Sequence, residues 1–378
     1  MEERMTIKPM LKIMAAGLCL SGAGARAETF RAATFNAANS PVAAFIDDFA
    51  ADVAERTGGE IEFELFAGGS LLPGEGTLVG LQRDVAQLAN INASQIPSDM
   101  PYDNVISDLG FIGDDQMALA FATTELRFFN EQAQQEIQRN NLVFASGNTI
   151  GIWNIICREP ISSLAELKGK KIRGTGGAQI AFIEHIGGTV VSVPPTEIYT
   201  GLQRGSLDCT AGSPEFLTVF WRLSEIAKSV YLLPLGSLPT GGYYFSESFW
   251  QDRSVDERRA MLGALSRSTA KSLIEWSDLI DEAFETARQE NIALTEPTPE
   301  DMATLTSFSD DFVENLAQAE ITKRNIDDPT PLIEDMVRLV DKWKGLLAGI
   351  DTSDVDAVTA LLDQEIYGKI DVETYGMN

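Results

Sequence analysis

The chain reads as an α/β protein built in two lobes, and three features of its 378 residues predict this. Strand-like and helix-like segments alternate along most of its length, the rhythm of a mainly parallel sheet with helices on both faces. Without the first 27 residues about 350 remain, more than one hydrophobic core usually serves. A helical pattern over residues 255–289 is interrupted only by Gly263. At 1.5 Å per residue it would run about 50 Å, longer than one small lobe, so it is expected to bridge two.

The elements follow in order. Residues 29–36 form a strand pattern that ends in the polar loop Asn36-Ala37-Ala38-Asn39. Ser40 and Pro41 suit a helix cap and first turn. Val42, Ile46, Phe49 and Val53 line one face of that helix, and Gly58-Gly59 stops it. Ile61, Phe63 and Leu65 alternate with Glu62 and Glu64 as a half-buried strand. A Gly-rich loop over 68–76 leads to a helix at 77–83 and a strand at 85–91. One helix is expected over 116–139 and a strand over 142–146. The rhythm repeats with strands at 152–157, 170–173, 189–193 and 207–210, and with helices opened by the turn at 174–177 and running through His185, over 197–204 and from Pro214. After the long helix, further helices are expected at 300–318, 331–347 and 353–364.

The N-terminus carries an export signature. Arg4, Lys8 and Lys12 precede an uncharged apolar run over 13–20, and Ala25-Arg26-Ala27 fits the small-x-small rule for signal peptidase. Cleavage after Ala27 would leave Glu28 first. The apolar run is too short for a membrane span, which needs about 20 residues. Leu18 stands where a lipoprotein signal at Cys19 wants a small residue. Acidic residues outnumber basic ones by 56 to 29. That balance disfavours nucleic acid and anionic lipid surfaces, although a pocket responds to local charge. Outside the signal two cysteines remain, Cys157 and Cys209. In an oxidising compartment an even pair suggests one disulfide, with two separate buried thiols as the other reading.

A catalytic set is hard to assemble. The single histidine, His185, falls within a helical pattern and reads as a surface or packing residue. There is no Gly-x-Ser-x-Gly elbow, and two cysteines with one distant histidine make no zinc set. Gly174-Thr175-Gly176-Gly177 shares only glycine content with phosphate loops.

Two motifs carry a family resemblance. Leu167-Lys168-Gly169-Lys170-Lys171-Ile172-Arg173 resembles the Leu-Lys-Gly-x-Lys-[IL]-Arg signature of the solute receptors of tripartite ATP-independent periplasmic (TRAP) transporters. About 25 residues later, the run from Pro195 to Asp208 resembles their Glu-[VI]-Tyr-x-x-Leu-x-x-Gly-x-[VL]-Asp motif, in the same order and spacing. The resemblance implies a periplasmic solute-binding protein fold whose two lobes close over a small organic acid. It also implies integral membrane subunits as partners and a mature chain that is not itself inserted in the membrane. By analogy, 28–150 plus 238–275 form one lobe, and 151–237 plus 276–378, with the C-terminal helices, form the other. A sensory partner in place of a transporter, or an enzyme acting on an organic acid, are the alternative readings. Neither motifs nor resemblance implies a cofactor or a metal.

The resemblance places the ligand carboxylate on Arg173, whose planar guanidinium fork matches a carboxylate and stays charged when water is excluded. Without the motif, a structural ion pair would be the simpler role. Departures from the family pattern touch the ligand. Cys209-Thr210-Ala211-Gly212-Ser213 replaces the family's Gly-x-Glu-Asn, so the asparagine contact is expected either to be lost or to be taken over by Ser213 or Glu215. Trp153 stands where sialic-acid-binding members carry a second arginine. It offers a flat apolar wall for a less polar acid, or serves the core. Phe216 and the aromatic run to Trp221 either wall the cleft or pack on the sheet. First-lobe candidates at strand ends are Asn36, Glu75, Asn92 and Asn148, and Tyr243 sits near the expected crossing between lobes.

Overall fold

The computed structural model describes residues 28–237 and 239–377. The export signal, Cys19 and the cleavage site lie outside the described residues. Eleven strands occur among them: β1 (Glu28–Ala33), β2 (Ile61–Phe66), β3 (Leu88–Ile91), β4 (Leu142–Thr149), β5 (Asn154–Cys157), β6 (Lys171–Arg173), β7 (Thr189–Val191), β8 (Cys209–Gly212), β9 (Ser229–Tyr231), β10 (Pro239–Ser246) and β11 (Ala293–Thr295). They form two sheets, ordered β2-β1-β3-β10-β4 and β11-β9-β5-β8-β6-β7. In the first, β1 runs parallel to β2 and β3, while β10 is antiparallel to β3 and β4. The fold is thus α/β in two lobes, each with one mixed sheet.

The chain crosses between the sheets after β4 and again before β10. The two crossing segments pair with each other: Trp153 N donates to Gly236 O at 2.7 Å, and Leu235 N donates to Trp153 O at 2.9 Å. Gly236 has φ +70°, and a Cβ there would fall 2.3 Å from Gly110 O, so only glycine fits the crossing. The long helix Val255–Gln289 is the third connection. Ser254 and Glu257 close a capping box at its start. Met261, Leu265, Leu273 and Trp276 enter the core under the first sheet, and Ala283 and Ala287 enter a core of the second. The expected bridge between lobes is therefore present.

A second bridge was not foreseen. The helix Pro299–Arg324 begins on the second sheet, where Asp301 accepts from Tyr231 Oη at 2.7 Å. It ends with Arg324 paired to Asp108 of the first-lobe helix Pro101–Leu109 at 3.2 Å. The C-terminal helices pack on the first sheet. Leu332, Met336 and Trp343 of Thr330–Leu347, and Val358 and Leu362 of Val355–Glu365, lie in the core of the first sheet, not the second. Two smaller expectations also change. The helix over 116–139 is two helices, Gln116–Phe129 and Glu131–Arg139. The extended Asn130 breaks the run, and its side chain accepts from Gln132 N and Ala133 N to cap the second. The helix from Pro214 is a short 3-10 turn, Pro214–Leu217.

Cys157 and Cys209 are disulfide-bonded partners in the antiparallel register of β5 and β8. The bond spans a sequence separation of 52, and on the chain-entropy view it limits the unfolded chain. Replacing both cysteines by serine should lower stability by about 2–5 kcal/mol, read from urea unfolding; an unchanged midpoint would refute this.

The helix Pro101–Leu109 starts on a buried carboxyl. Glu136 accepts from Tyr102 N at 2.7 Å and Asp103 N at 2.8 Å. Burial first, and the nearby Asp103 second, push the Glu136 carboxyl up to about 8. The folded chain then holds a proton that the unfolded chain releases near 4.5. This group's contribution to stability is therefore present at low pH and is lost as pH rises from 4.5 to about 8. Unfolding midpoints measured over that range should decline, and less steeply in Glu136→Gln.

Candidate functional site

A cavity of about 390 Å³ lies between the two sheets, within the range of small-ligand sites. Its first-lobe wall comes from Phe35 and Asn36 in the loop after β1, Asn90 within β3 and Asn92 just after it. Its second-lobe wall comes from the ends of β5, β6 and β8, with Trp153, Arg173, Glu215 and Phe216. The long helix contributes Trp276. This is the crevice at strand ends where α/β folds collect ligands.

Arg173 ends β6, and its backbone pairs with Thr210 of β8 and Val191 of β7. The residue is 6% exposed. Its Nε has no hydrogen-bond partner, and no carboxylate lies within ion-pair distance among the described residues. Burial alone pulls the guanidinium below its ordinary value. A buried cation without a counter-charge is costly, so the ion-pair role that sequence allowed finds no partner here.

Glu215 is the complementary group. It is fully buried, lines the same cavity, and its Oε1 accepts from Ser213 Oγ at 2.6 Å and from Gly151 N at 3.4 Å. Oε2 has no partner, and burial raises the carboxyl above its usual range. Ser213 itself does not line the cavity; it holds Glu215. Trp153 is both wall and core, 2% exposed with its ring edge-on to Phe216. Phe220 and Trp221 extend the aromatic wall.

First-lobe candidates divide. Asn36 lines the cavity, with Nδ2 donating to Thr34 Oγ1 at 3.1 Å and Asn90 Oδ1 at 3.2 Å. Asn92 lines it too, while its Oδ1 caps the turn at Ser94. Three of the candidates lie elsewhere. Glu75 is exposed on the short turn Gly74–Gly76, away from the cavity lining. Asn148 is buried in β4 and does not line it. Tyr243 belongs to the core: its ring stacks on Phe45 at 3.8 Å and its hydroxyl donates to Val42 O.

Asn90, Thr175 and Trp276 went unnoticed in the sequence. A polar residue inside the apolar strand Leu88-Ala89-Asn90-Ile91 was the available signal for Asn90. Nothing separated Trp276 from the other apolar positions of its helix. His185 is exposed and packs on Phe182 and Phe308. Among the described residues no cluster of three or more His, Cys, Asp or Glu is placed to hold a metal, and no helix is long and apolar enough to cross a membrane.

A cavity of about 470 Å³ lies beside the helices Pro299–Arg324 and Thr330–Leu347. Its cation, Lys344, is already paired with Asp114, so it offers less to an anion than Arg173 does.

A solved TRAP periplasmic solute-binding protein from Desulfovibrio salexigens superposes with a TM-score of 0.75 at 18% identity, covering 85% of this chain and 98% of that one. A marine-metagenome TRAP solute-binding protein, described as specific for pyroglutamate, gives 0.65 at 18% identity over 83% and 99%. At such identities the likeness speaks to the fold. In sequence, a solute-binding protein of Albidiferax ferrireducens is 27% identical over 204 residues, 53% of this chain and 56% of that protein. The chain spans about half the length of the curated relatives it matches. Residues 32–319 match the family described as bacterial extracellular solute-binding protein, family 7, and with its two-lobed fold the chain belongs to that family.

Proposed function

We propose that this chain is a periplasmic receptor of a TRAP transporter that captures a small organic acid, with the ligand carboxylate on Arg173, and delivers it to integral membrane subunits. The observation that carries this reading is that buried Arg173, which lines a ligand-sized cavity, forms no ion pair and has an Nε without a hydrogen-bond partner. A carboxylate is the simplest group that supplies both the missing charge and two acceptors in the plane of the fork. The pyroglutamate specificity of one structural neighbour is compatible with an organic acid here. Under this proposal the first 27 residues are removed after Ala27 on export. One lobe then comprises the first sheet with the C-terminal helices, and the other the second sheet.

Binding would work by closure: the carboxylate takes Arg173 from the second lobe while Asn36 and Asn92 approach from the first, favouring the state in which both walls touch the ligand. Glu215 and Trp153 would fix the remainder of the molecule.

Arg173→Ala should have two opposite effects. In a thermal-shift screen of organic acids it should abolish stabilisation by any acid that stabilises the wild type. A loss of about 2–5 kcal/mol for a truncated buried charge partner makes binding weaker by at least about thirtyfold. Without ligand the same variant should be no less stable than wild type, since it removes an uncompensated buried charge. Unimpaired binding, or a clear loss of unliganded stability, would place Arg173 in a structural role instead.

A further inference from the structure

Five side chains lining the cavity each leave a buried polar atom without a hydrogen-bond partner: Trp153 Nε1, Arg173 Nε, Trp221 Nε1, Trp276 Nε1 and Glu215 Oε2. Buried polar groups are normally satisfied, so a concentration of orphans around one cavity describes what it is built to receive. Four of the five are donors only, since neither an indole nor a guanidinium accepts a hydrogen bond. The fifth is an acceptor when ionised and a donor when protonated. Arg173 is the one cation among the described lining residues.

We propose that the occupant is a monocarboxylate whose body bears at least one hydroxyl, and that Glu215 is the residue that selects the hydroxyl and rejects a second negative charge; this rests on Arg173 as the carboxylate grip. A single cation neutralises a single carboxylate. A second carboxylate would meet aromatic faces and Glu215, with no cation to stabilise it. A hydroxyl both donates and accepts, so it pairs with Glu215 in either protonation state. The indole N–H groups donate and so need an acceptor such as an oxygen, and a body made wholly of hydrocarbon would leave all three unmatched. The flat rings of Trp153, Phe216 and Phe220 still favour a planar or ring-shaped body. The hydrogen bonds of Glu215 hold its carboxyl in place, because Ser213 Oγ and Gly151 N occupy Oε1 and leave Oε2 buried and unpartnered.

Isothermal titration of the signal-cleaved chain with matched acids tests this. The pairs are benzoate with 4-hydroxybenzoate, phenylacetate with 4-hydroxyphenylacetate, and hexanoate with gluconate, and terephthalate serves as the dianion. In any pair that binds, the hydroxylated member should bind about fivefold tighter or more, the worth of one good hydrogen bond, and terephthalate should be weaker than 4-hydroxybenzoate. Glu215→Leu should bring the ratio within a pair close to one while binding still depends on Arg173. Glu215→Gln should narrow the penalty on terephthalate. Equal or tighter binding of the plain acids by wild type, tighter binding of 4-(aminomethyl)benzoate than of 4-hydroxybenzoate, or no binding of any acid overturns the proposal. These wild-type comparisons decide the matter even where a variant fails to fold. If the hydroxyl preference survives in Arg173→Ala and is lost in Glu215→Leu, the carboxylate grip is what fails, and the hydroxyl subsite stands.

Discussion

Taking a guanidinium out of water without a counter-charge costs several kcal/mol, and much of the second lobe is arranged to hold Arg173 in that condition. Its strand is paired on both sides, and the neighbouring strand β8 is tied to β5 by the disulfide at Cys157 and Cys209. Ile172, adjacent to Arg173, pairs directly with Cys209. Beyond it the turn at Gly176 adopts φ +83° and opens the helix Gly177–His185. The first N–H of that helix donates to Asp108 of the first lobe at 3.3 Å. Under the proposed function, an anion that arrives from solution recovers that electrostatic cost.

The same logic governs the carboxyl on the same wall of the cavity. Glu215 lines the space that Arg173 lines, yet the two form no ion pair. Ser213 and the amide of Gly151 hold Oε1 instead. Gly151 lies in the first crossing between lobes, and a Cβ there would meet Glu215 Oε2 at 2.8 Å, Ile280 Cδ1 at 2.9 Å and Ser213 Cβ at 3.2 Å. A cavity-lining carboxyl, a connecting segment and the long helix thus come together at one point. A ligand that moves any of them acts on the joint about which lobes of this kind reorient.

How much of this was legible in the sequence follows from what each signal encodes. Periodicity and capping chemistry are local, so the alternating elements, the cap at Ser40 and the long helix from Ser254 could be read directly. The resemblance placed Arg173, and the two-cysteine count raised the disulfide. Amphipathicity, however, says that a face is buried without saying against what. Leu332, Met336 and Trp343 advertised a buried stripe, but only the return path of the helix Pro299–Arg324 sends it to the first sheet. The same limit misplaced Tyr243, a strand residue facing the helix Pro41–Arg56 and not the cleft. It hid Trp276 as well, which reaches the cavity only because the long helix passes between the lobes.

Global and local charge point in opposite directions in this molecule. The chain carries a formal net charge of −27, which repels an approaching anion at long range. That repulsion acts through solvent and is screened beyond about 10 Å at 0.1 M salt. On the proposed reading, the attraction of Arg173 for a carboxylate would act inside a cavity of lower dielectric, where screening is weak and each interaction is stronger than in water. An acidic exterior therefore costs an anionic ligand some speed of entry but little of its final affinity. The acidic composition argued against nucleic acid as a partner at the level of the whole chain, and for the same physical reason it carried no information about the sign of the charge that matters in the cleft.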